Sequence, residues 1–358
     1  MRFLFKTSYQ QDIRLFKHSG QVFWYCLLGL ALLVAPWLLP EYWVSQLIFI
    51  WIYAIVSLGL MLLVGFTGQV SIGHAAFLAM GAYTEGYLYR LGWPFALSLP
   101  FAALVAGITG IVVGLPALRV RGMYLAIATL AFGFIVEEVL TRAEGVTGGN
   151  GGMLVGSPQV FGLPIDSEQR MYYLCLFFLV LVVLGLLNLL RSPTGRAFVA
   201  IRDSEVSAQS MGINLAYYKT TAFALSAAIT GVAGALYAHK LRFITPEQFT
   251  FLQSIELLII LVVGGVGSIH GAIFGAAFWI VVQQLIALAK DWLPAAIGQQ
   301  TGLQPTVFGL ILIAFILFEP MGLYGRWLKI RTYFQLFPFY RKGMFRRQKS
   351  YMKSERLK

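Results

Sequence analysis

Five stretches of this chain run for a membrane-spanning length without one charged residue: Val22 to Leu39, Val44 to Val64, Pro94 to Leu118, Met171 to Leu190 and Thr220 to Ala238. A helix rises about 1.5 Å per residue, so about 20 such residues cross a hydrocarbon core roughly 30 Å thick. Only 12% of the 358 residues are charged and 58% are hydrophobic. An average soluble domain has about 25% charged residues. Too few charges remain to solvate a globule, and the fold class that follows is an all-α integral membrane protein.

The length criterion places about ten transmembrane helices, near 22–39, 44–64, 68–90, 94–116, 122–140, 171–190, 216–238, 248–264, 270–289 and 303–319. An even number puts both termini on one side. Charge tests that arrangement independently. The N-terminal Arg2, Lys6, Arg14 and Lys17, the Arg119/Arg121 turn, the 191–219 loop with Arg191, Arg196, Arg202 and Lys219, and the C-terminal tail all fall on the same side, which is therefore expected to be cytoplasmic. The opposite side receives the 141–170 loop with Glu144, Asp166 and Glu168. Trp37, Trp43, Trp93 and Trp292 stand at segment ends, where an aromatic belt is expected. Glu85, near an outer end, is expected to be interfacial. No small-residue cleavage pattern follows Leu39, so the first helix is expected to stay uncleaved.

The formal charge of +12 does not point to nucleic acid. From Arg326 onward lie eleven of the 27 Lys and Arg and one of the 15 acids, which leaves 16 bases against 14 acids elsewhere. A basic tail after the last span suits a cytoplasmic terminus held by anionic membrane lipid. The expected organisation is a cytoplasmic segment 1–21, a transmembrane domain 22–325 and a basic cytoplasmic tail 326–358. Cys26 and Cys175 both sit in apolar segments and read as small core residues rather than as metal ligands or a disulfide.

Glycines interrupt the apolar pattern twice, at Gly65, Gly68 and Gly73 and again at Gly264, Gly265 and Gly267. Broken helices near 65–74 and 264–270 survive at membrane depth only where protein or a water-filled cavity covers the bared backbone, and in transporters such breaks point toward a substrate path. Ser71-Ile72-Gly73-His74 with Phe77 echoes Ser268-Ile269-His270 with Phe274. Gln69, Ser71, His74, Gly265 and Ser268 are therefore candidate path residues, with a structural hydrogen bond as the other reading of His74. Glu256 joins them as the clearest acid within an apolar run; a carboxylate there faces protein or water, either in the path or bonded to a neighbouring helix.

An enzyme needs clustered nucleophiles, bases or metal ligands. The four histidines, His18, His74, His239 and His270, are scattered, and no H-E-x-x-H, C-x-x-C or G-x-x-x-x-G-K-[ST] pattern occurs. No catalytic residue, metal or cofactor is expected. The glycine-rich run Thr147 to Gly152 lacks the lysine of a phosphate loop and reads as a flexible turn or as a contact surface for an external protein or a gate.

The 191–219 loop has the order that a docking site for a cytosolic motor requires. Ser192-Pro193 starts a first helix with a cap and a proline at its first position. Asp203 or Ser204 caps a second from about Glu205, and Gly212 ends it in the left-handed conformation. Glu205, Ala208 and Gly212 share one face, whose small residues would admit a partner closely. A solvated cytoplasmic loop is the alternative.

This loop, from Gly195-Arg196-Ala197 through Ile201-Arg202-Asp203-Ser204-Glu205 to Ser207-Ala208-Gln209-Ser210-Met211-Gly212-Ile213, resembles the EAA-type coupling loop of ATP-binding-cassette importer permeases in its branched-chain amino-acid variant. Gly65-Phe66-Thr67-Gly68-Gln69-Val70-Ser71-Ile72-Gly73-His74, Arg121-Gly122-Met123-Tyr124-Leu125-Ala126, Thr147-Gly148-Gly149, Gly264-Gly265-Val266-Gly267-Ser268 and Phe318-Glu319-Pro320-Met321-Gly322-Leu323 are similar to further signatures of that family, in order. Against the general E-A-A-x-x-x-G pattern, Glu205 sits one residue early and Ser207 replaces an alanine. The resemblance implies a sister permease, two cytoplasmic ATP-binding subunits and a periplasmic substrate-binding protein. It makes Arg202, Glu205, Ala208 and Gly212 the ATPase-coupling residues and places the chain in a bacterial inner membrane. Branched-chain or related hydrophobic amino acids are the expected cargo, with urea, short amides or aromatic acids as alternatives and an ion-coupled secondary transporter as the rival mechanism.

Overall fold

In the computed structural model, the described residues are 19–118, 120, 122–160, 163–290, 303–319 and 321–336. The first basic residues, Arg119, Arg121, Trp292 and the tail beyond 336 lie outside them. The long helices are α1 (Ser19–Leu38), α2 (Glu41–Leu60, continued by a π-helical turn over Met61–Phe66), α3 (His74–Arg90), α4 (Phe95–Ala117) and α5 (Met123–Arg142). After the short α6 (Glu144–Thr147) come α7 (Glu168–Arg191), α8 (Pro193–Asp203), α9 (Glu205–Ser210) and α10 (Leu215–Leu241). The series closes with α11 (Phe251–Gly264), α12 (Ile269–Lys290), α13 (Leu303–Phe318) and α14 (Gly322–Leu336).

Eight segments among the described residues are long and apolar enough to cross a membrane, and the protein is a multi-pass, all-α membrane protein. The other two expected spans, α3 and α13, are helical but only 17 and 16 residues long. The third expected span starts at His74 rather than 68, because Gly68 takes a φ of +72° that ends helical geometry. The expected boundary at 325/326 falls inside α14, so the start of the basic tail belongs to the folded bundle. There Tyr324 stacks on His270 of α12 and Trp327 meets Phe274 edge-on.

α2 and α10 form the centre, and both are mostly buried. Without a hydrophobic drive between helices in lipid, close backbone approach and dispersion hold such a bundle together. α10 supplies that approach through small residues. A β-carbon at Gly81 on α3 would stand 2.2 Å from the carbonyl oxygen of Gly231, and one at Gly234 2.1 Å from that of Leu78. α1 is the opposite case, with most of its residues facing outward, Cys26 among them, whereas Cys175 is buried. The expectation that both cysteines are core residues holds only for Cys175, because α1 lies on the rim of the bundle.

The end of the bundle opposite α8 and α9 is folded rather than loose. Strand β1 (Met153–Leu154) pairs antiparallel with β4 (Phe243–Ile244), and β2 (Gln159–Val160) pairs with β3 (Leu163–Pro164). The glycine run forms a short 3-10 turn over Gly149–Gly151. Gly148, Gly149 and Gly152 hold left-handed φ angles, and a side chain at Gly152 would strike the Phe243 ring. Glu85, expected at the interface, is buried and hydrogen-bonded to His239 of α10 at 2.9 Å.

Candidate coupling and translocation sites

The two glycine breaks, 200 residues apart in the chain, lie against each other. A β-carbon at Gly65 would come within 2.9 Å of the Gly267 amide nitrogen, which donates to Met61 Sδ at 3.0 Å. The 318–323 segment joins them, since a β-carbon at Gly322 would stand 2.6 Å from the carbonyl oxygen of Val263 and 2.7 Å from the Gly265 nitrogen. Gly265 and Gly267 need their φ angles of +113° and +88° to make this turn, and no side-chain-bearing residue adopts the first without strain.

Helix ends buried in a bundle leave backbone groups to be satisfied. Here local side chains and side chains from other helices do so. At the end of α2, Thr67 donates to the Leu63 carbonyl at 2.5 Å, and the Gln69 side-chain amide donates to Thr67 Oγ1 at 3.0 Å. At the start of α3, the amides of Ile72 and Ala75 donate to Thr129 Oγ1 of α5 at 3.0 Å and to Ser254 Oγ of α11 at 3.1 Å. Ser268 caps α12 by accepting from the Gly271 amide at 2.9 Å.

His74 is fully buried, and its hydrogen bonds fix its tautomer. Ser226 of α10 gives its one proton to the Gly59 carbonyl at 2.6 Å, so His74 Nε2, 3.0 Å from Ser226 Oγ, carries the hydrogen of that pair. Nδ1 then accepts from Ser71 at 3.4 Å. The ring ties α2, α3 and α10 together. Of the candidate path residues, Gln69, Ser71, His74, Gly265 and Ser268 are all buried within this one chain, where they close the breaks. Glu256 differs. It is half-buried one turn after the exposed Leu252, on α11 beside Gln253, which donates to Tyr53 Oη at 3.1 Å.

The 191–219 loop has the local structure its sequence specifies. Ser192 caps α8, accepting from the Gly195 amide at 3.4 Å, and Ser204 caps α9, accepting from the Ser207 amide at 3.2 Å. Asp203 instead pairs with Arg202 at 3.0 Å. α9 ends in a Schellman arrangement: Gly212, with φ of +84°, donates to Gln209 and Ile213 donates to Ala208. Of the face expected to meet a partner, Ala208 turns inward, Glu205 is half-buried and Gly212 is exposed. Ala208 is buried, and Glu205 is held by Lys219 of α10 at 2.6 Å. Outward, α9 presents Val206, 69% exposed, beside the exposed Ser207, Gln209 and Ser210, and its C-cap Met211 is 85% exposed. Gln209, Gly212 and Ile213 line a cleft of about 500 Å³ beside them, shared with Leu118 and Lys219.

Residues 42–317 match the family model described as the permease component of the branched-chain amino acid transport system. This chain belongs to that family. The permease is 36% identical over 297 residues to the high-affinity branched-chain amino acid transport system permease protein LivM of Escherichia coli strain K12, covering 76% of this chain and 67% of the relative. It is 26% identical to the probable LivM of Methanocaldococcus jannaschii, covering 78% and 92% of the two chains. It is also 24% identical to the permease LivH of Salmonella typhimurium, covering 76% and 91%. No solved structure matches the chain.

In this permease the side chains that complete the breaks, Ser226, Thr129 and Ser254, were not foreseen from the sequence as site residues. Serine and threonine within apolar helices were the available signal, since each needs a hydrogen-bond partner there. Lys219 carried a stronger one, as a cation at the start of an apolar span with an acid 14 residues before it.

Proposed function

We propose that this permease is the translocation subunit of an ATP-driven importer that carries branched-chain or related apolar amino acids across a bacterial inner membrane. It works with a sister permease, two cytoplasmic ATP-binding subunits and a periplasmic substrate-binding protein. ATP hydrolysis belongs to the partners. The relatives' names support the cargo, and the match to both LivM and LivH supports a pair of related permeases. The α8–α9 end is the cytoplasmic end, which the positive-inside rule supports through Arg191, Arg196 and Arg202. Both termini lie on that side.

The single observation that carries the reading is α9 itself. It is a capped, six-residue helix that shows Val206 and Met211 to the outside and is fastened through Lys219–Glu205 to α10, the central helix. A rigidly attached element with an apolar tip suits the receipt of mechanical work from a separate subunit. Glu256 lines the route taken by the cargo, because a half-buried carboxylate two turns into a span requires water or protein beside it. In this reading the other buried residues of the breaks shape the route without touching the cargo.

The test replaces Val206 and Met211 together with aspartate. Expected is a chain that inserts and pairs with its sister permease normally, yet fails to retain the ATP-binding subunits on purification and gives no uptake. Full retention of those subunits would contradict docking at α9.

A further inference from the structure

We propose that Arg202 is the positioning residue that carries movement of the α8–α9 loop into both glycine breaks at once. The inference rests on the reading of α9 as the element moved by the ATPase, and adds the route by which that movement enters the spans.

Arg202 stands on the last turn of α8, partly open to solvent, and its side chain reaches inward to the end of α2. Nη1 donates to the Gly65 carbonyl at 3.1 Å, the oxygen at the end of the π-helical turn. Nε and Nη2 donate to Asp203 Oδ1 at 3.1 and 3.0 Å, so the planar guanidinium is held on both sides. The aliphatic stem packs on the first break, where a β-carbon at Gly68 would lie 3.2 Å from Cγ. The second break faces the same head group, since a β-carbon added at Gly267 would lie 3.7 Å from Nη1 and 3.8 Å from the Gly65 oxygen.

One side chain thus bonds to the first break, faces the second across a space the size of a methyl group, and belongs to neither. Glycine at 65, 68 and 267 leaves the backbones bare where the guanidinium enters, so displacement of α8 is transmitted to α2 and to the 265–268 turn without an intervening flexible side chain. Through Gly265 and Gly322 the same push reaches the start of α14. A lysine there would offer one mobile point charge in place of a braced fork.

The test uses the assembled complex with its sister permease, ATP-binding subunits and binding protein. Cys26 is exposed and is replaced by serine, while Cys175 is buried and stays. An environment-sensitive fluorophore is placed on Ser207→Cys to report α9 and, separately, on Val266→Cys to report the 265–268 turn; both positions are exposed. ATP with vanadate is expected to change both signals. In Arg202→Gln the Ser207→Cys response is expected to persist and the Val266→Cys response to be lost, with Arg202→Lys restoring part of it by donating to the Gly65 carbonyl. An undiminished Val266→Cys response in Arg202→Gln overturns the proposal. Should Arg202→Gln fail to assemble, Arg202→Lys carries the test alone: a lower Val266→Cys response relative to Ser207→Cys supports the strut, and an unchanged ratio overturns it. A Ser207→Cys signal that ignores ATP in the chain with Arg202 intact overturns the underlying reading of α9 instead, so the two failures are distinguishable.

Discussion

Glu85 is an ionisable side chain with almost no access to solvent, and its neighbours determine whether that is tolerable. His239 Nδ1 lies 2.7 Å from the Gly156 carbonyl, to which it can only donate. Its Nε2 then faces Glu85 Oε1 at 2.9 Å, and Ser98 donates to the same oxygen at 2.6 Å. One carboxylate joins α3, α4 and α10 and, through the imidazole, the loop that follows β1. Removing one partner of a buried pair strands the other, at a cost of roughly 3–5 kcal/mol. Glu85→Ala is therefore expected to lower the melting temperature of the purified permease in detergent much more than Glu85→Gln, which keeps an acceptor for Ser98. Melting temperatures for both variants equal to that of the unmodified permease would show that the pair contributes nothing. At this scale the sequence is a poor guide. Glu85 lies about a turn from the end of α3 and looks interfacial, because nothing local reveals that His239, 154 residues later, packs against it.

α9 shows what is legible in a short element and what is not. Its start near Glu205 and its stop at Gly212 were readable, and its cap was narrowed to Asp203 or Ser204, because capping and left-handed termination are local chemistry. Which face turns inward was not readable. That choice belongs to Lys219 on another helix, which takes Glu205 and draws Ala208 into the subunit. The cap leads to a prediction. A six-residue helix has little intrinsic stability, and losing an N-cap hydroxyl costs about 1 kcal/mol. Ser204→Ala is expected to speed amide hydrogen exchange across 205–210 by roughly five- to tenfold while leaving the exchange of α10 unchanged. Unaltered exchange over α9 would mean that Glu205–Lys219, rather than the cap, fixes the helix.

Across the whole molecule, charge-free stretches revealed the spans and glycine clusters revealed the breaks, since both are forced by the bilayer. The meeting of the breaks was not visible, because it depends on how helices separated by most of the chain pack together. That meeting underlies the proposed order of movement, from α9 through Arg202 to the 65–68 and 265–268 turns and on to the spans. Under the proposed function, the subunit moves cargo only when a separate subunit moves α9. The decisive measurement is amino-acid uptake into sealed vesicles containing this permease and its sister, with the binding protein and the amino acid outside. Uptake is expected only when the ATP-binding subunits and ATP are both present. Uptake driven by a sodium or proton gradient, with no ATP-binding subunit in the vesicle, would contradict the account.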